Sequence, residues 1–149
     1  KHKGISYLRT TRGATPVIYS NKEKFPIGKF KVLTKSKKDK ALVIAAGITV
    51  HEALKAYQEL AKQGIGIRII DLYSIKPIDE INLRKNAKEC NNNVIVVEDH
   101  YANGIGSEVA KIVGPIKHLC IKKTPRSGKP EELMKRYKID SSAIIRSVR

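Results

Sequence analysis

Glu98, Asp99 and His100 stand side by side at the end of an apolar run that begins at Val94. A carboxylate beside an imidazole orients the ring and shifts its protonation, the pairing used for proton transfer near neutral pH. The same residues also have a structural reading: Glu98 and Asp99 end a buried strand and pair with a basic neighbour, while His100 lies in the polar loop. Gly104-Ile105-Gly106 follows directly. Glycines here let the backbone turn where a Cβ would clash and set amide groups beside a helix N-terminus. As a dinucleotide fingerprint the pair is only half of Gly-x-Gly-x-x-Gly, and it follows a late strand instead of the first.

Two arginines, Arg9 and Arg12 in Leu8-Arg9-Thr10-Thr11-Arg12-Gly13, fall at the end of a β-prone piece. A planar guanidinium there suits bidentate capture of a phosphate, or equally a salt bridge to another domain. Ser127-Gly128-Lys129 resembles a truncated phosphate loop without the strand and glycines that would complete it. The histidines at 2, 51, 100 and 118 show no metal-ligand spacing, and Cys90 and Cys120 stand alone. No metal site is expected, and the cysteines read as reduced thiols in a cytosolic protein.

The elements that must position these residues alternate along the chain. Ile5–Thr10 and Val17–Tyr19 are β-prone pieces of an entry segment, and Lys29–Thr34 alternates as a half-exposed edge strand does. The Lys-rich turn after it reads as a solvated hairpin or linker. Ala41–Ala46 is continuously apolar, as in a strand covered on both faces. Thr49-Val50-His51-Glu52 has the form of a capping box, and Val50, Ala53, Leu54, Tyr57, Leu60 and Ala61 keep helical spacing up to Gly64. A strand over Ile65–Leu72 ends at Asp71; Asp79 caps a helix to about Cys90, with Ile78 and Leu83 as its hydrophobic staple. The strand from Val94 leads through the glycines to a helix stopped by Gly114-Pro115. His118–Ile121 forms a last strand, Pro130 opens a further helix, and Asp140 caps the final one. The pattern predicts an α/β three-layer sandwich: a mostly parallel five-stranded sheet with one antiparallel edge strand and helices on both faces.

Thirty Lys and Arg against 14 Asp and Glu give a formal net charge of +16, which invites a nucleic-acid partner. The distribution points instead to a solvated basic surface. Only Lys35-Ser36-Lys37-Lys38-Asp39-Lys40 forms a compact cluster, and with 5% aromatic residues and no Trp, stacking platforms are scarce. Neither nucleic acid nor membrane is expected as a partner, since no apolar run approaches the roughly 20 residues that cross a bilayer. The opening Lys1-His2-Lys3-Gly4 has no Met and no secretory apolar region, and reads as the cut end of something longer.

Five segments in order resemble the C-terminal domain of the transketolase family. They are Tyr7-Leu8-Arg9-Thr10-Thr11-Arg12, Gly47-Ile48-Thr49-Val50-His51-Glu52-Ala53-Leu54, Asp71-Leu72-Tyr73-Ser74-Ile75-Lys76-Pro77-Ile78-Asp79, Val97-Glu98-Asp99-His100-Tyr101 and Pro125-Arg126-Ser127-Gly128-Lys129-Pro130-Glu131-Glu132-Leu133. The resemblance implies an enzyme that uses thiamine diphosphate and Mg2+ to move a two-carbon ketol unit from a ketose phosphate to an aldose phosphate in the pentose phosphate pathway. The cofactor's carbanion would attack the ketose and then act as an electron sink. It implies that residues 1–38 are an entry segment from the preceding pyrimidine-binding domain plus the edge strand, and that 39–149 are the C-terminal domain. The cofactor, metal and proton-transfer groups would lie in upstream domains or an upstream subunit. This chain would then bind no cofactor and be inactive alone. By the same resemblance Arg12 binds the sugar phosphate, and Glu98, Asp99, His100, Gly104 and Gly106 form a loop at a domain interface, in a cytoplasmic homodimer. The chain departs from the family pattern in a loop one glycine shorter, His100-Tyr101-Ala102-Asn103-Gly104-Ile105-Gly106, and in Gly13-Ala14-Thr15 in place of a proline and an acid. Related thiamine enzymes, deoxyxylulose-phosphate synthase and the 2-oxoacid dehydrogenase β subunit, close with the same domain type. A non-catalytic α/β binding module is the remaining alternative.

Overall fold

The computed structural model describes residues 3–11 and 13–149. Five strands and five helices follow one another as β1 (Lys31–Thr34), β2 (Asp39–Ala45), α1 (Ile48–Ala61), β3 (Gly66–Asp71), α2 (Glu80–Glu89), β4 (Val94–Tyr101), α3 (Ile105–Val113), β5 (Lys117–Ile121), α4 (Pro130–Tyr137) and α5 (Ser141–Val148). The sheet order is β1-β3-β2-β4-β5, with β1 antiparallel to β3 and every other pairing parallel. This is the sandwich expected from the sequence. Because β1 pairs with β3 and not with β2, the Lys-rich turn is a crossing and not a hairpin.

The continuous apolar run of β2 is explained by its central place, since Leu42 to Ala45 are all inaccessible. Val43 and Ala45 pack with Val50, Ala53 and Leu60 of α1 and Ile144 of α5; Leu42 and Ile44 face Leu83 and Ala87 of α2 and Val109 of α3. Successive strand residues thus feed opposite helix layers. Each fully buried Leu or Ile contributes roughly 1.5–3 kcal/mol over its exposed state.

Two helix starts match the sequence. The Asp79 carboxylate accepts from the Asn82 amide and the Asp140 carboxylate from Ala143, each at 3.2 Å. The capping box does not form. Gly47 is the N-cap at φ +61°, so α1 begins at Ile48 and Thr49 lies inside its first turn. Thr49 Oγ1 donates to the carbonyls of Ala46 and Val97, both at 2.9 Å, tying the helix to the ends of β2 and β4. Glu52 instead accepts from the Ser141 amide at 2.8 Å and so fixes the start of α5. Glycine reaches this positive φ without the steric cost a Cβ would carry.

Ile5–Thr10 and Val17–Tyr19 form no strands, and no helix or strand precedes Lys31 among the described residues. Apart from half-buried Tyr19 their large β-prone side chains are exposed, so few packed neighbours reward an extended ladder. This strap is pinned instead at separate points, including edge-to-face packing of Phe25 between Tyr19 and Tyr73. At the opposite end of the sheet Arg68, 2% exposed, binds Asp39 at 3.2 Å, Asn86 at 2.8 Å and Glu89 at 2.5 Å.

Candidate functional site at the carboxyl edge of the sheet

The four parallel strands end together, which brings Asp71, Gly47, Glu98 and Ile121 to one edge, the place where open α/β sheets meet their ligands and partners. Glu98, 4% exposed, is the central group. Its Oε2 accepts from the Ile105 amide at 2.8 Å and its Oε1 from the Gly106 amide at 3.0 Å, so a side chain of β4 caps the positive end of α3. His118 Nε2 lies 2.6 Å from the same Oε1.

The two glycines are required by this arrangement. A Cβ on Gly104 would fall 1.8 Å from Glu98 Oε2, and one on Gly106 would fall 2.2 Å from the His118 ring. Neither position has room for a side chain. The glycine pair therefore serves close approach of a carboxylate and an imidazole, not the approach of a dinucleotide.

His118 is the functional candidate that sequence reasoning missed. The register of β4 with β5 aligns Val96 with His118, so the imidazole lies on the sheet face that also carries Glu98, two residues further along. The available signal was a polar ring directly before the apolar Leu119-Cys120-Ile121. His118 also borders a shallow depression lined by Tyr101, Asn103, Cys120 and Lys122. Burial pushes the Cys120 thiol up, as it does the Cys90 thiol, which reaches about 11.

The neighbouring acid has a different partner. Asp99 takes a forked contact from Arg9, with Nη1 3.2 Å from Oδ1 and Nη2 3.1 Å from Oδ2. His100 is exposed, its Nδ1 3.2 Å from the Tyr101 carbonyl, and makes no contact with Glu98. Structure thus joins Glu98, Gly104 and Gly106 around His118, joins Asp99 to Arg9, and leaves His100 outside both groups. Arg12 lies outside the described residues.

The strap crosses this edge. Thr11 Oγ1 lies 3.6 Å from where a Gly47 Cβ would stand, and the Tyr19 hydroxyl donates to Asp71 Oδ2 at 2.7 Å. Burial holds the Asp71 carboxyl above the usual carboxylate range, opposed by the Tyr19 hydrogen bond and by the nearby His51; the Tyr19 hydroxyl is itself pushed up by burial and by Asp71.

A diphosphate with its magnesium does not fit these residues. The first amides of α3 are taken by Glu98, and among the described residues no three His, Cys, Asp or Glu side chains gather as metal ligands. No helix of the described residues is long and apolar enough to cross a membrane.

An open, mostly parallel α/β domain with a strap over its carboxyl edge is the class that fold and site define. Residues 28–144 match the family described as transketolase, C-terminal domain, and the chain belongs to that family. Transketolase-like protein 1 of Bos taurus is 45% identical over 152 residues, covering 98% of this chain and 26% of that protein. Transketolase of Homo sapiens is 44% identical over 153 residues, covering 99% of this chain and 25% of that protein. A solved structure described as a split gene transketolase, inactive β4 tetramer, superposes with a TM-score of 0.84 at 29% identity, over 92% of this chain and 46% of that one. The chain spans about a quarter of the length of the transketolases it matches.

Proposed function

We propose that this chain works as the C-terminal part of a transketolase that transfers a two-carbon ketol unit from a ketose phosphate to an aldose phosphate. The observation that carries this reading is 44% identity to human transketolase along 99% of the chain. Thiamine diphosphate and Mg2+ are held by upstream domains or an upstream subunit, and this chain braces them within a cytoplasmic homodimer. Alone it is inactive. The description of the split-gene neighbour as an inactive tetramer supports that reading.

In this reading residues 1–38 enter from the pyrimidine-binding domain and end in the edge strand, and 39–149 form the bracing domain. Arg12 holds the phosphate of the sugar, and the Glu98–Gly106 loop meets the neighbouring domain. Anchoring of Arg9 on Asp99 and of Thr11 beside Gly47 supports a strap that runs along the edge where a substrate would be met. The test is ketol transfer between phosphorylated sugars by this chain with and without the polypeptide bearing the thiamine-binding domains, supplied in trans. Transfer by the combination and none by either part is expected. Transfer by this chain alone, or none by the combination, overturns the reading.

A further inference from the structure

Among the described residues nine of the 14 acids pair with a Lys or Arg, and Glu98 is engaged by the His118 ring. The uncompensated cations therefore concentrate where acids are few. Between Lys122 and Lys138 run seven Lys and Arg against only Glu131 and Glu132, and all seven are exposed without an ion-pair partner among the described residues. The segment is ordered. The Tyr137 hydroxyl accepts from the Arg126 amide at 2.8 Å, and Leu133 packs 3.2 Å from where a Gly128 Cβ would stand.

The start of this basic segment lies near exposed apolar residues of the strap. The alignment of Tyr101 with Ile121 sets the start of the basic loop beside the end of β4, where Arg9 holds the strap on Asp99. There Tyr7 and Leu8 are 88% and 85% exposed. Apolar anchors next to a charged rim are the anatomy of a protein interface, in which complementary charge steers the encounter. A nucleic acid fits less well: Tyr137 is the one aromatic residue of the segment, and its ring is half-buried with its hydroxyl engaged.

We propose that this composite surface docks an acidic protein face: the polypeptide bearing the thiamine-binding domains presents a carboxylate-rich rim to Lys122–Lys138 and covers Tyr7 and Leu8 with apolar groups. The inference rests on the functional reading above and adds the chemistry of the partner. Like charges along this surface also oppose its pairing with a second copy of itself.

The experiment measures association of this chain with that polypeptide by stopped flow at 50 and 500 mM NaCl, with ketol transfer as a second readout. The association rate constant is expected to fall by about 10- to 100-fold across that range. A triple reversal, Lys123→Glu, Arg126→Glu and Lys135→Glu, should slow low-salt association by a similar factor, with transfer restored at saturating partner. The control reversal Lys37→Glu, Lys38→Glu and Lys40→Glu makes the same change in net charge around the start of β2 and should have a much smaller effect. Binding and transfer that are insensitive to salt and to the first reversal overturn this proposal alone. Equal effects of the two reversals also overturn it, because net charge and not this surface would then act. Absence of both binding and transfer removes the functional reading with it. Salt-steep capture of a mixed-sequence oligonucleotide, with salt-insensitive polypeptide binding, assigns the surface to nucleic acid instead.

Discussion

Glu98 Oε1 lies 2.6 Å from His118 Nε2 while the same carboxylate receives the first amides of α3, so one buried group joins β4, β5 and a helix end. Replacement by Glu98→Gln keeps the shape but turns one carboxylate oxygen into a donor facing donors. A loss of about 1–3 kcal/mol is expected, the cost of leaving a buried group without its partner. Urea denaturation of the variant measures it, and wild-type stability would show the capping to be dispensable.

Gly106→Ala sets two effects against each other. Alanine inside a helix gains up to about 1 kcal/mol over glycine, but the new Cβ would stand 2.2 Å from a ring already held by Glu98. The clash should win, with a net loss of about 1–3 kcal/mol from overpacking. The double variant Gly106→Ala, His118→Ala should recover part of that loss. A thermal-melt cycle in which the two changes simply add would contradict the contact.

Removal of the Tyr19 hydroxyl by Tyr19→Phe leaves the buried Asp71 carboxylate without its donor. A loss of about 1.5–3 kcal/mol is expected for a hydrogen bond to a charged group. Its pH dependence follows from the raised Asp71 value. The folded state keeps its proton longer than the unfolded state, so stability falls as pH rises from about 3.8 through the folded value. The variant should therefore be hurt more at pH 7 than at pH 3, and Asp71→Asn should flatten that dependence. Equal loss at both pH values would show that the carboxylate is not involved.

Asp79 behaves in the opposite sense. Lys29 and the Asn82 side chain and amide hold its carboxyl at about 2, below the usual 3.8. Its contribution is present above pH 4 and is lost as pH falls toward 2. Asp79→Asn retains a capping side chain but should lower the urea midpoint at pH 7 and reduce its fall between pH 4 and pH 2. An unchanged acid profile would place the acid sensitivity in other groups.

Arg12→Ala, in the enzyme assembled with its thiamine-binding domains, should raise KM for phosphorylated sugars with little change in kcat. The expected loss is about 1.5–3 kcal/mol, typical of a hydrogen bond to a charged group. Sugars without the phosphate provide the control. An equal effect on both classes of sugar would remove Arg12 from phosphate binding.

Most of the sandwich was legible in the sequence because β2, β3 and β4 are apolar on both faces and the helices between them keep a 3.6-residue period. The caps at Asp79 and Asp140 could be read for the same reason, since one side chain and one nearby amide settle them locally. The hydroxyl of Thr49 was misread because Gly47, at positive φ, changed where the helix begins, and that depends on the strand ends it meets. His118 and Arg68 escaped for a related reason. Each is defined by partners 18 to 29 positions distant, Glu98 for the first and Asp39 and Asn86 for the second, and no local periodicity reports such pairings.

With Glu98 seated on the first amides of α3, that helix arrives with its anion cradle already filled by its own chain. An incoming phosphoryl group would have to displace a carboxylate tethered beside those amides, and so compete with its high effective concentration. The start of α3 is therefore a strut at this edge, and any phosphate met there would be held by other groups.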